Sequence, residues 1–303
     1  MLAKCLQSLA GAAPPQGAGV EIVVVDNTEE GGARNGALSF ASSSPYPIHY
    51  VCEPRRGISY ARNASVEKAL SLGADWLAFL DDDEWVQEDW LLALTDAAAR
   101  YSADVVCGPV KPVYPEKPPF WTVVEDFRAG SLPPEGLRMQ SAATCNTLAA
   151  AKLFAPAPAG LGLRFGEALG LSGGEDAELF NRAVRAGASV FFTAKAMTFE
   201  TVPPSRLTYR RAVECAYRRG TTYRQELAAR GQDMLLARAV RKAASRLLSG
   251  VFLAAILPFH IPFGARRFKF AAVRMGRNFA YAAGIAANFM GRKSNYYLRI
   301  DGY

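Results

Sequence analysis

The chain has 303 residues, 50% hydrophobic, 21% charged and 11% aromatic, a balance that excludes disordered, collagenous and low-complexity proteins. The net charge of +7 is unevenly spread: residues 1–203 hold 16 basic and 24 acidic side chains (−8), and residues 204–303 hold 19 basic and 4 acidic (+15). That segregation points to an acidic catalytic or metal-binding body and a basic tail facing an anionic partner. Five scattered cysteines without C-x-x-C spacing, and only two histidines, argue for a reducing compartment and against a zinc site or disulfide framework. No secretory signal opens the chain. The longest apolar run, Val251 to Phe263, is interrupted by Pro258, His260 and Pro262 and falls short of the roughly 20 residues of a span, so no transmembrane helix is expected.

In chain order, Leu2, Leu6 and Leu9 share one helical face, ended by Gly11 and Pro14-Pro15. Glu21–Val25 is a β-branched run suited to a buried strand, closing on Asp26-Asn27 where ligands gather in open α/β sheets. A polar, Gly-rich stretch leads to a short strand at Ile48–Val51, then to Arg55-Arg56-Gly57 and a helix from Ile58 to Leu72. A second buried strand, Trp76–Leu80, runs into Asp81-Asp82-Asp83-Glu84. A helix over Asp89–Arg100, a strand over Val105–Val110 and a Pro- and aromatic-rich excursion from Lys111 to Pro134 follow. Thr144–Leu148 returns to the sheet, Ser172-Gly-Gly174 leads into a helix starting at Glu175-Asp176, and strands at Val190–Phe192 and Ala196–Glu200 close the body. This alternation predicts an α/β fold with a mostly parallel sheet. Beyond Pro203-Pro204, three basic helices are expected over Leu207–Ala229, Asp233–Leu257 and Arg266–Met290, the last reading as an interfacial amphipathic helix.

Asp81, Asp82 and Asp83 carry the strongest chemical signal. Three adjacent carboxylates at a strand end repel one another unless a cation neutralises them. A hard ion, Mg²⁺ or Mn²⁺, takes carboxylate oxygens and keeps positions open for phosphate. A solvated acidic turn is the bland alternative.

Val23-Val-Val-Asp-Asn27, Arg56-Gly-x-x-x-Ala-Arg-Asn63, Phe79-Leu-Asp-Asp-Asp83 and Gly174-Glu-Asp176 together resemble the family 2 glycosyltransferases, over roughly residues 1–200. Phe199-Glu-Thr-Val-Pro-Pro-Ser-Arg-Leu207 and Tyr217-Arg-Arg-Gly220 are similar to the glucosyltransferases of bacterial succinoglycan-type exopolysaccharide assembly. The resemblance implies a GT-A fold over residues 1–203 and a basic helical region over 204–303. It also implies an inverting transfer of one sugar from a nucleotide-sugar, UDP by preference. It places Asp26 on the nucleobase, Arg62 on the uracil or diphosphate, Asp81 and Asp82 on the ribose and metal shell, and Asp83 on the ion. Asp176 is the general base, which direct displacement at the anomeric carbon requires. The residues alone leave alternatives: Asp26 as a turn aspartate, Arg62 paired with a nearby acid, and Glu175 and Asp176 as helix-capping acids. Glu175 is a candidate acceptor or phosphate contact; Glu200 binds metal, meets the acceptor or pairs with Arg206. Arg211, Arg218 and Arg219 clamp a diphosphate or form a solvated face. Trp85, Trp90 and Trp121 are a sugar platform or ordinary core, and His49 and His260 are structural.

Relatives open with a strand just before the Met-Leu helix, so the sheet is expected to lack an interior strand and Met1 to be an internal methionine of a longer frame. The Q-x-x-R-W motif of processive synthases is absent, which favours a single addition. The tail suits a polyprenyl-diphosphate-linked glycan acceptor and peripheral attachment to the inner face of the cytoplasmic membrane. It lacks the spaced aromatics or helix-turn-helix of a nucleic-acid binder, so no nucleic acid is expected. The competing readings are a catalytically impaired sugar-nucleotide-binding remnant and a GT-A-like nucleotidyltransferase.

Overall fold

A computed structural model of the chain describes residues 1–119, 132–229, 231–232 and 234–292. They divide into two compact units. The first holds Met1–Val113, the described residues from 132 to Gly170, and Glu175–Thr201; the second holds Leu171–Gly174 and the described residues from Val202 onward, with a short piece beginning at Tyr114.

The first unit runs α1 (Leu2–Ala10), β1 (Ile22–Asp26), α2 (Arg34–Ala41), β2 (Ile48–Cys52), α3 (Ile58–Ser71), β3 (Trp76–Phe79), β4 (Glu84–Val86), α4 (Trp90–Tyr101), β5 (Val105–Cys107), β6 (Val110–Val113), β7 (Thr147–Ala150), α5 (Glu175–Arg185), β8 (Val190–Phe192) and β9 (Thr198–Thr201). β1 and β2 pair in parallel as a two-stranded sheet. A four-stranded sheet has the order β3-β7-β5-β8, and a three-stranded sheet the order β4-β9-β6. The α/β class holds, but the sheets are mixed. β7 runs antiparallel to both β3 and β5, and β4 antiparallel to β9, while β5–β8 and β6–β9 are parallel. Among the described residues, β1 and β3 each carry a second edge without a strand partner.

Burial explains why these segments take these forms. Val105, Val190 and Ala149 are fully buried beside Leu179 and Phe180 of α5, so one continuous apolar core fixes β5, β7, β8 and α5 together. Trp90 and Leu94 of α4 cover the other face against Val106 and Leu148. The single expected strand over 105–110 is two: the chain breaks at Gly108-Pro109, and β6 joins a different sheet. α2 was unexpected, because its polar, Gly-containing sequence hides the one residue, Ala37, that packs with Leu6, Ile22 and Val24.

The second unit holds α6 (Tyr209–Ala229), α7 (Leu235–Ile256), a 3-10 helix at Leu257–Phe263 and α8 (Ala265–Phe289). α8 is its centre. Gly220 of α6 and Gly284 of α8 let the two backbones meet: a Cβ on Gly284 would lie 2.1 Å from the Tyr217 carbonyl oxygen, and one on Gly220 2.3 Å from that of Tyr281. Gly220 of the sequence motif is therefore a packing residue. Asn288 donates to the Thr221 carbonyl at 2.7 Å, closing the crossing. From Ala271 onward α8 is thus mostly an interior helix packed on α6 and α7, while its first turn is largely exposed; the larger exposed apolar surface lies on α7 and the 3-10 helix.

Candidate active site

The site forms where β1, β3 and the start of α5 end. The residues of the Arg56–Asn63 motif assemble it. Gly57 takes φ +138, a conformation that favours glycine, to open α3. Its N–H donates to Asn27 Oδ1 at 2.9 Å, while Asn27 Nδ2 donates to the carbonyls of Glu53 and Arg55. Asn63 exchanges two hydrogen bonds with the backbone of Phe165, at 2.8 and 3.0 Å, and Ser59 donates to the Gly166 carbonyl. α3 is thereby fastened to the loop ahead of α5.

Arg62 projects from α3 between two acids. It donates to Glu175 Oε1, and at 3.4 Å to Asp81 Oδ1. Its side chain is only 12% exposed and that of Glu175 2%. The pairing with a nearby acid, left open from sequence, is therefore observed, and Glu175 lies buried against Arg62.

Asp26 closes β1 and is held by its own turn. Its Oδ1 accepts from the Thr28 N–H and hydroxyl, and its Oδ2 from the Ala33 N–H at 2.8 Å and the Tyr50 hydroxyl at 3.0 Å. Burial works to raise this carboxyl, but the hydrogen bonds from Ala33, Thr28 and Tyr50 together hold it below the ordinary value. These bonds fix the carboxylate at the carboxyl end of β1, on the rim of the site.

Asp81, Asp82 and Asp83 occupy the turn between β3 and β4, closed by the Glu84 N–H donating to the Asp81 carbonyl. The Thr201 N–H donates to the Asp83 carbonyl at 3.0 Å and ties the turn to β9. The Asp81 side chain is 44% exposed. Desolvation by its surroundings nonetheless pushes its carboxyl up; Arg62 opposes this, and the charges of Asp83 and Asp176 add to it. Asp176 thus stands within electrostatic reach of the turn. It is the second residue of α5, and its Oδ1 accepts from the Ala177 N–H at 2.7 Å.

Beneath the turn lie groups that sequence reasoning missed. Glu84 is buried and accepts the Asp81 N–H at 3.3 Å. Burial, then the charges of Asp81, Asp83 and Glu200, push it to about 9. Glu200 sits directly opposite on β9, in register with Glu84. Cys5 donates to the Asp81 carbonyl at 3.8 Å; burial and the four neighbouring acids push its thiol to about 12. Burial, Asp81, Glu84 and Asp176 likewise hold Cys145 protonated. Glu84 shares its strand face with the buried Val86, the local sign that it points inward.

Among the described residues no three His, Cys, Asp or Glu side chains are arranged to hold an ion. The donor chemistry still fits a hard divalent cation, which commonly takes one or two carboxylates and completes its shell with water and substrate phosphate. The mutual repulsion of Asp81 and Asp83 is what such an ion would relieve.

The Glycosyl transferase family 2 model matches residues 1–149. Over 272 residues the chain is 35% identical to the succinoglycan biosynthesis protein ExoM of Rhizobium meliloti, covering 89% of this chain and 84% of that protein. The chain belongs to glycosyltransferase family 2. This transferase is also 27% identical over 107 residues to the glycosyltransferase GlyA of Streptococcus pneumoniae, covering 35% of this chain and 14% of that protein. Its fold is GT-A. It matches crystal structures of S. aureus TarS, one spanning 94% of this chain and 52% of that chain, the other, solved with UDP-GlcNAc, spanning 96% and 88%, both with TM-score 0.51 and 14% identity.

The remaining candidates fall elsewhere. Arg211, Arg218 and Arg219 lie half-buried on α6 of the second unit, Arg211 4.0 Å from Glu214. Trp85 stacks on Phe199 at 4.2 Å with Lys4 Nζ 4.0 Å from its ring centroid, so both its faces are occupied and it is no sugar platform. Trp90 is core and donates to Asn146 Oδ1. Trp121 lies outside the described residues. His49 pairs with Glu21 at 2.6 Å, and all five cysteines are free thiols.

Two predictions follow from these charges. Arg62→Met leaves Glu175 buried without its cation and should destabilise the first unit by about 3–5 kcal/mol, with Arg62→Met/Glu175→Leu recovering most of the loss in urea denaturation. Glu84 holds its proton in the fold to about 9 but loses it near the ordinary carboxyl value when unfolded, so its contribution to stability falls as pH rises between those values. In EDTA, Glu84→Gln should therefore gain on the parent by more than about 1 kcal/mol between pH 5 and pH 8.

Proposed function

We propose that this transferase moves one sugar, with inversion, from a UDP-sugar to a polyprenyl-diphosphate-linked glycan during exopolysaccharide assembly. It would work peripherally at the cytoplasmic face of the membrane. The observation that carries the reading is the convergence of Asp176 with the Asp81–Asp83 turn around Arg62. The UDP preference draws support from the TarS structure with UDP-GlcNAc, and the pathway from the name of the 35%-identical relative.

Asp176 takes the proton of the acceptor hydroxyl as its oxygen forms the new bond to the anomeric carbon. The bond from that carbon to the phosphate oxygen breaks, and the nucleoside diphosphate leaves with the electron pair. A carboxylate at the start of α5 suits this work, since it offers an acceptor oxygen for that proton. Asp83, with Asp81 and Asp82, would hold Mg²⁺ or Mn²⁺, which when bound offsets charge on the departing diphosphate. Arg62, through Glu175, fixes the start of α5 so that Asp176 faces the turn. Asp26 and Asn27 set the rim near the base. Glu200 lies behind the turn, where its charge adds to the pull on a cation. Arg211, Arg218 and Arg219 are proposed to face the acceptor's diphosphate.

The test is turnover with UDP-glucose and membrane lipid extract. Asp176→Asn should lose about 10²-fold or more in turnover while binding UDP within a few-fold of the parent. Unaltered turnover would overturn the assignment of the base.

A further inference from the structure

α7 is apolar on two faces, and among the described residues only one of them packs on another helix. Ala239 and Gly250 are buried on the α8 side, where the Phe279 ring leaves 2.9 Å for any Cβ on Gly250. On the same side Arg246 donates to Asn278 Oδ1 at 3.1 Å and lies over the Tyr281 ring. Helical spacing puts Leu247, Leu248, Val251 and Phe252 around the other side, where Leu248 is 69% and Phe252 64% exposed. The 3-10 helix continues this surface: Phe259 is 73% and Phe263 64% exposed. A helix apolar all round is ordinarily buried, so this surface implies a partner.

The charge around it says which. From Met234 to Arg292 the chain contains no Asp or Glu, while Arg266, Arg267 and Lys269 follow directly on the apolar tip and are exposed. The Arg267 guanidinium lies 5.3 Å from the Phe263 ring centroid and that of Arg274 5.7 Å from the ring of Phe270. Aromatic side chains beneath cationic heads match the layering of a bilayer surface, acyl chains below anionic headgroups.

Leu235–Phe263 is long and apolar enough to cross a membrane by length and composition, which revises the expectation of no such segment. The packing argues against crossing. α8 folds back along α7, with Arg246 bonded to Asn278, so crossing would carry Arg274 and Arg277 into hydrocarbon.

We propose that the exposed face of α7, the 3-10 helix and the Arg266–Lys269 cluster form a docking surface for an anionic phospholipid bilayer, lying in its interface rather than spanning it. This deepens the membrane-peripheral reading above and rests on it for its role, but its test needs no donor or acceptor. The full chain is floated with vesicles of phosphatidylcholine alone or mixed with phosphatidylglycerol. It should float with the anionic vesicles, less so as salt is raised. Arg266→Gln/Arg267→Gln/Lys269→Gln should weaken partitioning roughly fivefold per charge removed. Phe252→Ser/Phe259→Ser/Phe263→Ser should abolish flotation while UDP binding, a property of the first unit, is unchanged. Failure of the parent to float, or equal flotation of both variants, overturns the proposal. So does a chain that self-associates through the three phenylalanines without binding vesicles, since the face would then join two copies. Flotation without transfer would instead leave the docking surface standing and remove the transferase mechanism.

Discussion

One buried cation holds the site together. Arg62 satisfies Glu175 in the interior and reaches Asp81 at the rim, so α3, α5 and the end of β3 share a single electrostatic tie. A planar guanidinium suits this better than an ammonium, because its fork addresses two acids at once and it does not lose its proton on burial. Burying such a pair is expensive, and a hydrophobic replacement would often be as stable. Its retention makes sense if what it supplies is position: Asp176 follows Glu175 directly, and on the proposed mechanism the tie would hold it toward the acidic turn.

Around that tie the protein gathers several acidic groups, Asp81, Asp83, Glu84 and Glu200 among them. It limits the repulsion by keeping some of them protonated. Glu84 stays neutral through the physiological range, as do the thiols of Cys5 and Cys145. Stability and function pull against each other here: the same carboxylates that strain the fold would attract a divalent ion and, with it, a diphosphate.

Much of this was legible in the sequence because it rests on local rules. β1, β3 and β8 announced themselves as β-branched or apolar runs, and α5 began at the acids that a helix start favours. The aspartate turn followed from its place after a buried strand. What could not be read was long-range. Whether Arg62 meets a phosphate or an acid depends on Glu175, 113 positions away. That Ala33 and Tyr50 hold the Asp26 carboxylate was equally out of sight. The mixed sheet escaped notice because strand direction is set by crossovers, and period-2 patterning is blind to direction. In the second unit, α7 and α8 have similar compositions, and only the Gly220–Gly284 contact decides that α8 is the one inside.

The acidic turn is the feature on which the proposed chemistry stands: on that reading, carboxylates crowded at a strand end would be tolerated for the sake of a cation that binds the donor's diphosphate. Calorimetric titration of UDP into the protein, in Mn²⁺ and again in EDTA, tests this directly. Affinity at least about tenfold higher in Mn²⁺, with that gain lost in Asp83→Ala, is the expected result. Equal affinity with and without the ion would contradict it.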